Sequence, residues 1–251
     1  MTKIALITGS SRGLGKSMAL HLAYHGRDVI ITYHSQKEQA QAVVKSIEEM
    51  GQKAVALQLD VRDASGFSAF ANAVRDALKE NWGRDDFDYL INNAGSGIWA
   101  EYEKTSEEQF DNMMKEHVKA PFFLTQALLP LIKQGGRILN VSSGLTRMIM
   151  PGYAAYAVMK TAVEGLSLYM AKELGPRGIA VNTLAPGAIE TDFGGGVVRD
   201  NADLNAEIAS VTSLGRVGLP EDIGGAVASI LADEAGWINA QRIEVSGGQR
   251  L

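Results

Sequence analysis

Three residues in the middle third of the chain, Ser143, Tyr156 and Lys160, have types and spacing suited to acid–base chemistry on a carbonyl group. Tyr156 and Lys160 stand at i and i+4, so on a helix they share a face and the ammonium can sit near the phenol. A phenol with a pKa of about 10 is a weak acid–base catalyst at neutral pH, and a neighbouring cation that favours its ionised form lowers that value. Ser143 follows an apolar run that reads as a strand, and from a strand end its hydroxyl can hydrogen-bond a carbonyl oxygen. On its own, a Tyr-x-x-x-Lys pair is equally what an ordinary helix surface carries.

A second group of residues supplies a partner for that chemistry. The first apolar run leads into Thr8-Gly9-Ser10-Ser11-Arg12-Gly13-Leu14-Gly15 and then a helix, which presents backbone N–H groups and a helix N-terminus to a pyrophosphate. Gly9 allows a tight turn, Gly13 close approach of a phosphate and Gly15 close helix packing. The spacing is G-x-x-x-G-x-G rather than G-x-G-x-x-G, and the same glycines would also serve a plain strand-to-helix turn. NAD-binding sheets carry an acid after the second strand for the ribose 2′-hydroxyl, whereas this chain has Tyr33-His34-Ser35. Arg12 with His34 or Ser35 can instead meet a 2′-phosphate, so NADP(H) is favoured over NAD(H). Asp60-Val61 and Asn92-Asn93-Ala94-Gly95 follow the third and fourth strands, and both can contact adenosine or simply make turns.

The elements that must position these residues alternate along the chain. Apolar runs at 3–8, 29–33, 54–59, 89–92, 137–141, 179–184 and 242–245 read as seven strands. Helical periodicity appears at 13–24, 36–50, 64–79, 106–133, 153–174 and 220–231. Strict alternation gives an α/β fold, a Rossmann-type doubly wound parallel sheet with helices on both faces in three α/β/α layers. No linker interrupts the pattern, so residues 1–251 form one domain, with a mobile substrate loop at 190–215. Gly194, Gly195 and Gly196 within that loop would let it close as a lid.

Composition narrows the function. A net charge of -5 leaves no basic surface for nucleic acid, and the absence of cysteine removes disulfides, thiolate catalysis and Cys-ligated metal. No metal is expected, and no apolar run approaches the roughly 20 residues that span a bilayer, so a cytoplasmic location without a membrane partner is expected. Glycine, at 27 of 251 residues, is in excess.

Glycine turn, Asn-Asn-Ala-Gly segment, strand-end serine and Tyr-x-x-x-Lys, in this order, resemble the short-chain dehydrogenases/reductases over essentially the whole chain. The segment 182–192 around Pro186-Gly187 and the C-terminal 244–248 extend the likeness, and the 3-oxoacyl-carrier-protein reductase-like members look most similar. The resemblance implies that Tyr156 exchanges the proton, Lys160 binds the nicotinamide ribose and depresses the tyrosine pKa, and Ser143 polarises the substrate carbonyl. It further implies that Asn92 and Ala94 contact the adenosine side, Asp60 and Val61 the adenine, and Ile189 and Thr191 the nicotinamide carboxamide. Where the family has an asparagine whose backbone holds a relay water, this chain has His117, whose imidazole could shuttle protons or could simply be tolerated. A dimer of dimers is also implied.

The substrate pocket is expected from Trp99, Met148, Met150, Tyr153 and Phe193, with Ile98, Leu145 and Val197. These suit a medium-sized hydrophobic or aromatic ketone, although methionines also simply fill cores. Lys172 and Arg177 are the few cations available to an acidic acyl carrier protein, so that partner is not favoured. The three-residue gap between Tyr156 and Lys160 disfavours enoyl reduction. A non-catalytic nucleotide-binding sensor or scaffold is the competing class.

Overall fold

The computed structural model describes residues 2–251. Seven parallel strands form one sheet: β1 (Ile4–Ile7), β2 (Asp28–Tyr33), β3 (Ala54–Gln58), β4 (Phe87–Asn92), β5 (Ile132–Val141), β6 (Ala180–Pro186) and β7 (Arg242–Val245). Their order is β3-β2-β1-β4-β5-β6-β7. Strands β1, β2, β4 and β6 are buried at every position, which is why they read as continuous apolar runs instead of alternating ones. Side-chain alternation still sorts them. Ala5, Ile7, Val29, Ile31 and Ile91 pack with α1 (Gly13–Tyr24), α2 (Lys37–Glu49) and α9 (Pro220–Ile230). Ile4, Leu6, Ile30 and Leu90 pack with α3 (Phe67–Trp82), α5 (Ala120–Leu128) and α6 (Ala154–Leu174).

Two long stretches differ from expectation. The single helix expected at 106–133 is α4 (Glu107–Met114), a π-helical turn at Lys115–Lys119, α5 and a short 3₁₀ turn at Leu129–Leu131. Ser106 and Gln109 close a capping box at its start, and Pro130 stops α5 because it has no N–H to continue the ladder. Glu116 and His117, within the π turn, are both buried. Residues 190–215, expected as a loop, contain the glycine turn Phe193–Gly196 followed by α7 (Val197–Asp200) and α8 (Ala202–Ser210). Among the described residues no helix is long and apolar enough to cross a membrane.

Candidate active site

Strand order reverses at β1, and the gap between the carboxyl ends of β1 and β4 is where doubly wound sheets take ligands. A cavity of about 640 Å³ opens there, lined by Arg12, His34 and Ser35 as well as by Ser143, Tyr156 and Phe193. Its wall includes Gly9, Ser11, Gly13, Leu14, Gly15, Asp60, Val61, Ala94, Gly95, Lys160, Pro186, Gly187, Ile189 and Thr191. The 640 Å³ falls within the roughly 300–1,000 Å³ of small-molecule sites.

The first wall is backbone. Gly9 has φ +65°, and a Cβ there would lie 2.9 Å from Ala94 Cα, so turn and strand β4 approach as closely as glycine permits. A Cβ on Gly15 would meet Ser10 Cα at 2.8 Å and Asn93 Nδ2 at 2.7 Å, so α1 is seated on its own entry turn. Thr8 Oγ1 accepts from the backbone N–H groups of Asn93 and Ala94, both at 2.9 Å, and Asn93 Nδ2 donates to the carbonyls of Thr8 and Gly9. The N-terminus of α1 has no side-chain cap at Arg12, so its N–H donors face the cavity mouth.

Two expected contacts lie elsewhere. Asn92 does not line the cavity. Its amide is buried and donates to Thr125 Oγ1 at 3.0 Å and Asn140 Oδ1 at 2.8 Å, while Asn140 donates to Ser167 at 2.9 Å. At the last position of a strand buried on both faces, alternation turns residue 92 into the layer beneath and residue 93 toward the ligand edge. Trp99 is mostly exposed, with its indole laid over Gly152, where a Cβ would meet it at 2.6 Å; neither it nor Ile98 reaches the cavity. Met148, Met150, Tyr153 and Phe193 do line it, with Leu145, Val197, Leu204 and Ile208.

The chemical end is dominated by burial. Tyr156 lies between two rings, T-packed on His117 at 5.1 Å and on Phe193 at 5.5 Å between centroids. Burial pushes its phenol above the ordinary value, and a hydrogen bond with Ser143 opposes this. Burial outweighs the effects that would lower the phenol, so its net shift is upward. The Lys160 amine donates to the Val141 carbonyl at 2.7 Å and lies over the Tyr156 ring, 5.5 Å from its centroid. Burial lowers the Lys160 pKa to about 8, with Glu116 pulling it back up.

His117 is fully buried, and its Nε2–H donates to the Ser96 carbonyl at 2.8 Å, which makes Nδ1 the lone-pair nitrogen. That Nδ1 has no partner in the protein. Burial first, then the charge of Lys160, holds the imidazole well below its ordinary pKa, so it is neutral. Glu116, one residue earlier, accepts from Ser96 Oγ at 2.6 Å and faces Arg62 at 3.6 Å. Asn93, within the Asn-Asn-Ala-Gly segment, lines the cavity, as do Ser96, Glu116 and Gln249, which went unnoticed in the sequence because nothing in a helical or turn pattern marks a polar group turned inward.

A dinucleotide fits this arrangement. The uncapped α1 terminus suits a pyrophosphate, Arg12, His34 and Ser35 all line the cavity, and the orphaned Nδ1 of His117 is an acceptor suited to a hydroxyl or water. Among the described residues no cluster of His, Asp and Glu could hold a metal.

Comparison with known proteins agrees with this architecture. A family profile described as enoyl-(acyl carrier protein) reductase matches residues 9–250. The tetrahydroxynaphthalene reductase PfmaG of Pestalotiopsis fici is 37% identical, over 98% of this chain and 91% of its own. Two solved structures superpose closely. The promiscuous reductase LugOII, which catalyses keto-reduction at C1 during lugdunomycin biosynthesis, is 38% identical with a TM-score of 0.93, covering 99% of this chain and 98% of its own. The landomycin C-6 ketoreductase LanV, solved with NADP and rabelomycin, is 36% identical with a TM-score of 0.89, covering 99% and 96%. With the sheet order, the cavity and relatives of this identity along its whole length, the chain belongs to the short-chain dehydrogenase/reductase family.

Proposed function

We propose that this protein is a cytoplasmic NADP(H)-dependent carbonyl reductase acting on a medium-sized hydrophobic or aromatic ketone. The observation that carries this reading is that Ser143, Tyr156 and Lys160 line a single cavity together with the glycine turn. Support for NADP(H) comes from Arg12, His34 and Ser35 in the cavity wall, with no acid directly after β2, and from the NADP in LanV. Support for an aromatic ketone comes from Leu145, Met148, Met150, Tyr153 and Phe193 around Tyr156, and from the naphthalene and ketoreductase names of the relatives.

The bound nicotinamide would supply or accept the hydride. The backbone of Gly9, Gly13 and Gly15 would hold its pyrophosphate, and Ile189 and Thr191 its carboxamide. Ser143 donates a hydrogen bond to the ketone oxygen, and Tyr156 gives that oxygen its proton as the alcohol forms. A buried phenol holds its proton tightly, so the transfer waits on charge developing at the ketone oxygen. Lys160, with a pKa of about 8, carries the positive charge that stabilises the phenolate left behind. His117, neutral and with its Nε2–H committed to Ser96, offers Nδ1 as the hydrogen-bond acceptor that orients the relay by which a solvent proton returns through Lys160 to the Tyr156 phenolate. Phe193 and the Gly194–Gly196 turn screen the reacting atoms from water.

The carrier-protein partner loses support, because Arg177 is committed to the carbonyls of Leu129 and Ile132. A homotetramer is proposed from apolar side chains left exposed on α4, α5 and α6, among them Phe110, Phe122, Phe123, Leu168 and Tyr169. An apparent mass of one chain in solution would contradict it.

The test is NADPH oxidation with a panel of aliphatic and aromatic ketones, beside Tyr156→Phe. Wild type is expected to consume NADPH with the aromatic members, and the variant to be about 10²- to 10⁴-fold slower while still binding NADPH. NADPH binding without turnover by wild type on any ketone would favour the sensor reading.

A further inference from the structure

The stripe on α6 that carries Tyr156 and Lys160 continues one turn further to Glu164, again at i+4. Glu164 Oε1 accepts three hydrogen bonds: from Ser142 Oγ at 2.6 Å, from Thr146 Oγ1 at 2.9 Å and from Arg242 Nε at 2.9 Å. Arg242, on edge strand β7, then reaches over the same segment. Its Nη2 donates to the Ser143 carbonyl at 3.4 Å and to Thr146 Oγ1 at 3.0 Å, and its Nη1 to Glu244 Oε2 at 3.0 Å. Glu244 in turn accepts from Arg147 Nη2 at 2.7 Å and Ser246 Oγ at 2.8 Å. Residues 142, 143 and 146 are thus held by Glu164 and Arg242, and Arg147 by Glu244, in an alternating row of charges.

The gripped segment needs holding. After β5 the backbone has one ladder bond, from Ser142 N–H to the Leu184 carbonyl, before it enters a single 3₁₀ turn, Gly144–Thr146. The Ser143 hydroxyl accepts from the Leu145 N–H at 3.2 Å, so its direction follows the turn. The bidentate reach of a guanidinium from a carboxylate to a carbonyl and a hydroxyl is beyond an ammonium.

We propose that Glu164 and Arg242 are positioning residues of the reductase site, a charged clamp that fixes the Ser143 turn to the helix bearing Tyr156 and Lys160. The proposal rests on Ser143 acting in the reaction, as read above. Serine and tyrosine hydroxyls must converge on one ketone oxygen, and an ångström of drift in either can cost up to about a hundredfold in rate. Tying the serine turn to Glu164, two helical turns from Tyr156, makes the two hydroxyls move as one body.

The experiment is a cycle of Arg242→Lys and Ser143→Ala, with Glu164→Gln alongside, read as kcat, KM for an aromatic ketone, NADPH Kd by fluorescence, and melting temperature. Arg242→Lys is expected to lower kcat about tenfold or more, with NADPH Kd within about twofold of wild type. Glu164→Gln, which keeps an oxygen for Ser142 and Thr146 but loses the charge, should cost less, about threefold. In the Ser143→Ala background Arg242→Lys should change nothing further, since the group it positions is gone. Equal losses from Arg242→Lys in both backgrounds, an unchanged kcat in both clamp variants, or a weakening of NADPH binding that matches the loss of rate would overturn the proposal. Full activity in Ser143→Ala alone would overturn both it and the reading of the site beneath it.

Discussion

Replacing His117 by asparagine tests the electrostatics of the buried site in a way that activity alone does not. The imidazole is held by one hydrogen bond to the Ser96 carbonyl and has no partner at Nδ1. The charged groups facing it are Lys160, Arg62 and, at 3.9 Å, Glu116. Burial and the two cations keep the folded-state pKa well below 6.5. An unfolded chain titrates this histidine normally. As pH falls below 6.5 the unfolded state takes up a proton that the folded state refuses, so stability is full above 6.5 and is lost below it. Each pH unit below 6.5 costs about 1.4 kcal/mol until the folded pKa is reached, and asparagine has no such term. Between pH 7.5 and 5.5 wild type is therefore expected to lose about 1.4 kcal/mol more than His117→Asn, read by urea unfolding at fixed protein concentration. His21, His25 and His34 are common to both proteins and cancel. Parallel pH dependence in the two proteins would refute the buried neutral imidazole. The relay role has its own readout: reduction at pH 7 should slow about tenfold or more with NADPH affinity kept, and an unchanged rate would remove the role while leaving the titration argument standing.

Two further substitutions separate cofactor contacts from scaffold. Arg12→Ala should weaken NADPH about 10- to 100-fold, the worth of a charge-assisted hydrogen bond, and leave NADH unchanged. Its ion pair with Asp192, at 3.5 Å between exposed side chains, adds little, so the melting temperature should hold. Asn92→Ala should do the reverse, costing about 1–3 kcal/mol of stability by stranding Asn140 Oδ1 and Thr125 Oγ1, with NADPH Kd unmoved. Loss of NADPH affinity greater than loss of stability would return Asn92 to the cofactor site.

The sheet was legible because its strands are short apolar runs between turns and its helices keep a 3.6-residue period. The π turn was not, because a register change of one residue inside an apolar helix leaves the sequence pattern almost intact. Glu116 stayed hidden for another reason: it stands three residues after Met113 and four before Ala120, on the apolar face, but a carboxylate at the edge of such a stripe reads as solvated. The relation of Lys160 to Tyr156 was half legible. Spacing put them on one face, but only the fold shows that the amine is tied to the Val141 carbonyl and lies over the ring. Asn92 and Asn93 are identical in type, and only strand alternation separates the one that braces the sheet from the one that ties the glycine turn.

Glycine is where composition and site meet, and much of its role here concerns side chains. A Cβ on Gly95 would lie 2.6 Å from His117 Cε1, so this glycine is what admits an imidazole beside Tyr156. A Cβ on Gly97 would lie 2.6 Å from Phe193 Cε1, and one on Gly144 would strike the Met148 methyl. Three large groups around the reacting phenol therefore occupy space that a single methyl would deny them. Since His117 and Phe193 are the two rings packed on Tyr156, Gly95 and Gly97 leave the room for part of the packing that buries the phenol. The acid–base properties of this site are thus written partly in two missing side chains on the loop after β4, alongside the tyrosine and lysine on α6.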